Sequence, residues 1–339
     1  MYENRPEYRA IPHLEKRIIH RADDAFPFLH DTVIAALGGR LFAAWYNCSR
    51  DEIEGRTVIR GRWSADGGGS WSEAEIVAED MREHRHMVPA TFLEDGGVTQ
   101  AYVTRMSAHD RPLGYVTYRY DGSRWRETER IDVPVLFNTL PLQASGRLYI
   151  GGRMAEAPGG PPLVPIVAVR EPGQAHWRIL RLPGPWQSGA YPLRFPETAL
   201  LADGDRLEAV VRNDDGPFWQ YSSEDGGESW SPPAPGPLSV VPAKVCMGTL
   251  PDARQYLIFN EPAGGWRTRL VLAVRNDRFS PFDARYVLAD GFDEALQAGP
   301  DWHYPCACVA GGRMHVSCTA SGAGVRRHAA LFSFSPAGL

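Results

Sequence analysis

Ser64-Ala65-Asp66-Gly67-Gly68-Gly69-Ser70-Trp71 returns 159 residues further along as Ser223-Glu224-Asp225-Gly226-Gly227-Glu228-Ser229-Trp230. Each copy of S-x-D-x-G-x-S-W leads out of a β-type run. The Asp oxygens can bond nearby N–H groups, Gly tolerates the left-handed backbone of a tight turn, and the Trp is large enough to plug the sheet beneath. Two copies mark a repeated hairpin, and a repeat governs the whole fold.

Outward from these copies, a coarser pattern recurs six times: a polar or Pro-containing lead, a short apolar run, a Gly or Asp turn, and a second apolar run. The turns fall at positions 39, 97, 146, 205, 254 and 312, in steps of 58, 49, 59, 49 and 58 residues. A period of about 40 to 50 residues is that of a four-stranded propeller blade, and these steps are slightly longer. The fold expected is therefore all-β: one six-bladed β-propeller domain over residues 1–339, with four-stranded antiparallel blades. Composition agrees, because 34 Gly and 28 Pro punctuate a chain that is 43% hydrophobic. An open edge invites pairing with other chains, so the seam needs cover. Arg17 to Ala22 is expected as the outer strand of the last blade, beside Ala329 to Phe334, so that both termini close it. Gly291 to Gln297 is read as the one short helix, and Tyr120-Asp121-Gly122-Ser123-Arg124-Trp125 as a degenerate hairpin turn in the second repeat.

The net charge is -5 and no basic block occurs, so neither nucleic acid nor an anionic membrane is expected as a partner. Lys16 and Lys244 are the only lysines, which makes Lys244 a position where Arg was not used. Five cysteines cannot all pair, and Cys306-x-Cys308 has strand period, so small buried strand residues are expected. The polar start of the chain and the lack of a long apolar run lead to the expectation of a cytoplasmic protein. Gly67-Gly68-Gly69 lies in a hairpin turn and is no phosphate loop, and neither G-x-S-x-G nor H-E-x-x-H is present.

In a propeller the inner strands converge on the axis, so the residues that lead into them line one mouth of a funnel. Here these leads carry His30 and Asp31; His84, Arg85 and His86; Asn138; Tyr191, Arg194 and Glu197; Lys244; and His303 with Tyr304. All can titrate, clamp or hydrogen-bond, and Arg105 is a further clamp candidate. His84-x-His86 lacks a Cys or carboxylate partner at suitable spacing, so no metal site is expected. No cofactor is expected either, and nothing specifies a structural calcium.

The repeated octapeptide resembles the Asp-box of sialidase-like propellers. The fourth repeat strengthens the resemblance: Phe195-Pro196-Glu197-Thr198-Ala199-Leu200-Leu201-Ala202-Asp203-Gly204, then Val210-Val211-Arg212-Asn213, then the box at Ser223. The resemblance implies that Glu197 polarises a nucleophilic Tyr and that Arg212 belongs to a triad holding a substrate carboxylate. It also places Tyr304 where sialidases carry that Tyr. A phenol with a pKa near 10 needs such a base, and sialidases are the known Tyr-nucleophile exception among retaining glycosidases. The chain departs from the family in its first repeat, where Phe28-Leu29-His30-Asp31 stands in place of an Arg before I-P. Lys244 and Arg267 are the candidates for the third cation.

The function expected is an exo-acting glycoside hydrolase on an acidic or deoxy sugar of an oligosaccharide or polysaccharide. Tyr304 and Glu197 would form the nucleophile and base, Arg212 with Arg194 or Arg85 the clamp, and His86 or Asp31 the proton donor. Two alternatives stand beside it. One is a lyase acting at a uronic acid, for example in a rhamnose-glucuronate linkage, with His86 or His303 and Tyr304. The other is a propeller that binds glycans without turnover.

Overall fold

The computed structural model describes residues 7–160, 163–184, 194–263, 265–278, 280–322 and 324–339. Six sheets follow one another along the chain, one per sequence repeat, each an antiparallel four-stranded blade at its core. The inner strands are Phe28–Leu37, His86–Asp95, the split pair Val135–Phe137 and Leu142–Ala144, Thr198–Asp203, Cys246–Thr249 and Asp301–Ala310. Inner-strand segments of successive blades touch, and the contact of Asp301–Ala310 with Phe28–Leu37 closes the ring. The architecture is thus the six-bladed propeller that the repeat spacing implied.

Burial explains the composition of each strand. A middle strand is covered on both faces by neighbouring blades, so Leu163–Arg170 and Gln255–Glu261 are buried at every residue. Outer strands are half-solvated: Trp125–Ile131 buries only Trp125 fully. Between the third and fourth strands of blades 1 and 4 the two Asp-boxes are wired alike. Ser70 donates from its backbone N–H (2.9 Å) and hydroxyl (2.7 Å) to Asp66, and the Ser64 hydroxyl donates to it at 2.8 Å. Ser229 and Ser223 bind Asp225 in the same way. Successive glycines take the turn, at φ 69° and 90° in one box and 70° and 87° in the other. Neither box lines the hub. The Gly226 carbonyl accepts from Tyr149 of blade 3, so the box packs on the preceding blade. Asp121 organises the degenerate turn of blade 2, accepting from Ser123 and Arg124.

The seam closes as expected, with Glu15–Arg21 antiparallel to Val325–Phe334 and Arg17 opposite Leu331. A second element was not foreseen: Tyr8–Arg9 adds a parallel strand to the outer edge of blade 5, so the N-terminal segment covers two neighbouring edges. The helix expected over Gly291 to Gln297 is instead a turn closed by a bridge between Asp293 and Ala298. The Asp293 carboxylate accepts the Leu296 N–H at 3.0 Å as an N-cap would, but the backbone pairs Asp293 with Ala298 within one turn, and Pro300 blocks continuation. All five cysteines are free thiols.

Candidate active site at the hub

One spacing rule locates the site. The residue eight positions before the inner hairpin turn lines a central cavity of about 360 Å³ in five of the six blades: Asp31, Pro89, Asn138, Glu197 and Tyr304. In blades 1, 2 and 6 these positions fall in a β-bulge, where the ladder skips from His30 to Val33, from Met87 to Ala90 and from His303 to Cys306. A bulge frees a residue from the ladder and re-aims it. Asp31 and Tyr304 take left-handed φ values of 52° and 54° there. Blade 5 differs because its hairpin loop is longer, with Thr249 opposite Gln255. Its contribution is Lys244, which donates to Asp31 across the hub. A second ring comes from the following strands: seven positions after the turn, Tyr46, Arg153 and Arg212 also line the cavity.

At the floor, Arg212 Nη1 donates to Glu197 Oε2 (3.0 Å) and to the Tyr304 hydroxyl (3.2 Å). Its Nε and Nη2 are held by Asp214 at 3.0 and 2.6 Å, so every nitrogen of this guanidinium is engaged. Burial alone would raise the Glu197 pKa, but the charges of Arg212, Arg153 and Lys244 hold it below its ordinary value. The Tyr304 hydroxyl is pushed well above its ordinary value, first by burial and then by the Glu197 charge. The resting pair is therefore a carboxylate beside a neutral phenol.

Arg267 approaches Tyr304 from blade 5, its guanidinium carbon 5.3 Å from the ring centroid. Nη2 of Arg267 donates to the Pro242 carbonyl (2.8 Å) and Nη1 meets His303 Nδ1 at 3.0 Å. Burial, then the Arg267 and Arg327 charges, keep His303 neutral. Since Arg267 can only donate, His303 Nδ1 accepts and its Nε2–H donates to Ser321 at 2.6 Å. Blade 3 supplies Arg153, bound through Nη2 to Asp110 at 2.9 Å. The Phe195 ring lies 4.7 Å from the Arg212 guanidinium, 5.2 Å from that of Arg194 and 5.8 Å from that of Arg153, so one aromatic ring neighbours three like charges. Gly151 and Gly152 let these elements meet. A Cβ at Gly151 would fall 2.3 Å from the Thr198 carbonyl oxygen, and one at Gly152 2.5 Å from that of Leu136.

The rim carries an imidazole between two carboxylates. His109 Nδ1 contacts Asp110 at 2.8 Å and its Nε2 lies 3.8 Å from Glu52, which also accepts from the Tyr46 hydroxyl at 2.8 Å. The hydrogen-bonded Asp110 carboxylate, with the Glu52 carboxylate nearby, raises His109 to about 10, which favours the imidazolium. Trp266, 55% exposed, forms an aromatic lip.

Of the residues expected from sequence, Tyr304, Glu197, Arg212, Asp31, His30, Asn138 and Arg194 line this cavity. Lys244 and His303 stand behind it, holding Asp31 and Arg267. His84, Arg85 and His86 are not part of the lining: His84 and Arg85 are exposed on the loop ahead of the blade, Arg85 paired with Glu83, and His86 is turned to Thr57 at 3.1 Å. They precede the hairpin turn by more than eight residues, and the bulge presents Val88 and Pro89 instead. Arg105 is likewise placed elsewhere, bound to Asp132 (2.8 Å) and Glu83 (3.3 Å). Tyr191 lies outside the described residues. The sequence reading passed over Arg153, Glu52, His109 and Trp266. Arg153 had a usable signal, since it sits seven residues after its turn as Arg212 does after its own. Among the described residues no group of three His, Cys, Asp or Glu is arranged to hold a metal ion.

A family model described as a BNR repeat-like domain matches residues 39–316. No curated protein matches the sequence. Among solved structures, the NanB sialidase of Streptococcus pneumoniae is similar at a TM-score of 0.74 and 11% identity, over 95% of this chain and 71% of that one. The Trypanosoma rangeli sialidase, solved with the inhibitor DANA, is similar at 0.70 and 11% identity, over 96% of this chain and 60% of its own. A Dyadobacter fermentans protein of unknown function matches at 0.73 and 14% identity, over 95% and 99% of the two chains. What is shared at these identities is the sialidase-like fold.

Proposed function

The chain belongs to the BNR repeat-like domain family, and on that premise we propose that it is an exo-acting, retaining glycosidase for a terminal sugar acid. The observation that carries this reading is the single Arg212 Nη1 that binds Glu197 Oε2 and the Tyr304 hydroxyl together, beneath a cavity walled by Arg153, Arg194 and Arg267. Tyr304 Oη attacks the anomeric carbon while its proton passes to Glu197, and the bond to the leaving oxygen breaks. That oxygen takes a proton from the Glu52–His109 pair at the rim. Water then attacks the anomeric carbon, giving a proton back to the rim pair, and the phenol regains its own from Glu197. Because Glu197 takes the phenol proton as the attack proceeds, no free phenolate is set against the substrate's own carboxylate. Asp31 is committed to Lys244, although burial raises its carboxyl above the ordinary carboxylate range, and His86 is outside the cavity.

Incubation with a sugar acid bearing fluorine beside an anomeric fluoride tests the reading. The expected result is a covalent adduct on the peptide carrying Tyr304, found by mass spectrometry and absent from Tyr304→Phe. Loss of turnover by orders of magnitude is expected in Glu197→Gln. An active protein whose adduct lies elsewhere, or which forms none, removes Tyr304 as nucleophile. Glycan binding that survives in both variants, with no turnover by the parent chain, replaces the enzyme with a binding propeller. Elimination at a uronate would lack one expected base, because both ring nitrogens of His303 are already engaged.

A further inference from the structure

The guanidiniums of the hub differ in how many donors they have left. Arg212 has all its nitrogens committed to Asp214, Glu197 and Tyr304. Arg267 has Nη1 on His303 and Nη2 on Pro242, and its Nε has no partner. Arg153 is 8% exposed and has spent only Nη2, on Asp110, while its Nε and Nη1 have no partner. Unmet donors on a buried guanidinium are costly unless a ligand meets them. Asn138 stands on the same blade, its backbone N–H bonded to the Gly151 carbonyl at 2.8 Å, and its own buried Oδ1 is also unpartnered.

Resting on the reading of the hub as a sugar-acid site, we infer that Arg153 is the specificity-determining anchor for the substrate's carboxylate, with Asn138 beside it meeting a ring hydroxyl. Arg212 is then a positioning residue that sets Glu197 and Tyr304 relative to each other. The carboxylate is drawn to the blade 3 wall. Two blades away round the ring, the first repeat contributes His30, a neutral imidazole that burial, with His303 and nearby cations, holds well below its ordinary pKa. A neutral ring cannot replace a guanidinium as an anion clamp. Arg153 remains charged, because Asp110, Glu197 and Tyr304 outweigh the cost of burying it. The ligand class is a six- or nine-carbon sugar acid, bound through one carboxylate.

The test is calorimetric binding of D-glucuronate and N-acetylneuraminate, each against its methyl ester, to the full chain. Turnover is not needed, so this test can fail while Tyr304 is still labelled, and the reverse. The parent chain is expected to bind at least one acid in preference to its ester by roughly 10- to 100-fold, and Arg153→Met to lose that preference. Arg153→Met leaves Asp110 without its partner, so Arg153→Met/Asp110→Asn is measured alongside, with melting curves for both. A folded variant of either kind that still prefers the acid overturns the assignment. So does a parent chain that binds neither acid, or binds acid and ester alike.

Discussion

His109 and His30 line the same cavity in opposite protonation states. Two carboxylates surround His109 and carry it to about 10. His30 is buried with His303 and Arg327 near it, and no partner reaches its Nδ1. Nuclear magnetic resonance of the ring protons should therefore show His109 protonated throughout the neutral range, while His30 and His303 stay neutral at pH 6. The sign for stability follows from linkage. A pKa raised above its unfolded value near 6.5 contributes stability that is fully present below that pH and is lost as pH rises through about 10. A His109 titrating near 6.5 would show that the Glu52–His109–Asp110 chain does not form. His109 was not legible in the sequence because Ser107-Ala108-His109-Asp110 lies on the loop after a second strand, away from the inner-strand leads where chemistry was sought.

Strands decide which of the candidate side chains meet. Blades 3 and 4 approach so closely that the Thr198 hydroxyl donates to the Gly152 carbonyl at 2.8 Å, which brings Asn138 and Arg153 beside Glu197 and Arg212. Gly151→Ala would push a methyl group to within 2.3 Å of the Thr198 carbonyl. The expected cost is about 1–3 kcal/mol of stability. Urea unfolding checks it, and an unchanged midpoint would mean that the two strands have slack. The bulges act in the same way on blades 1, 2 and 6. Cluster composition drew attention to His84-Arg85-His86, but a two-residue skip in the ladder gave the cavity Val88 and Pro89 instead. Side-chain chemistry can be read along a strand; a register shift inside it depends on the neighbour.

Across the whole ring, Lys244 of blade 5 and Asp31 of blade 1 join two blades that are not adjacent. Burial alone would lower the Lys244 pKa, but the charge and hydrogen bond of Asp31 carry it above its ordinary value. Lys244→Met leaves a buried carboxylate alone and should cost about 3–5 kcal/mol. The double variant Lys244→Met/Asp31→Asn should recover much of that loss, and thermal or chemical melts of the four proteins give the coupling directly. Strict additivity would mean the pair does not form. The same closure logic governs the rim of the ring, where one N-terminal segment covers the edges of blades 5 and 6.

The number of blades, their boundaries, the Asp-box turns and the closure of the last blade were determined by the sequence alone, since each is a local pattern repeated at a fixed period. Glu197, Tyr304 and Arg212 were singled out too, from the inner-strand leads and the sialidase resemblance, and all three line the cavity. Which cations are already spent and which still have donors to give was decided only by the tertiary structure. That state depends on partners such as Asp214, His303 and Asp110, which lie near or far in the chain with no periodicity to announce them and meet their arginines only where six strands converge.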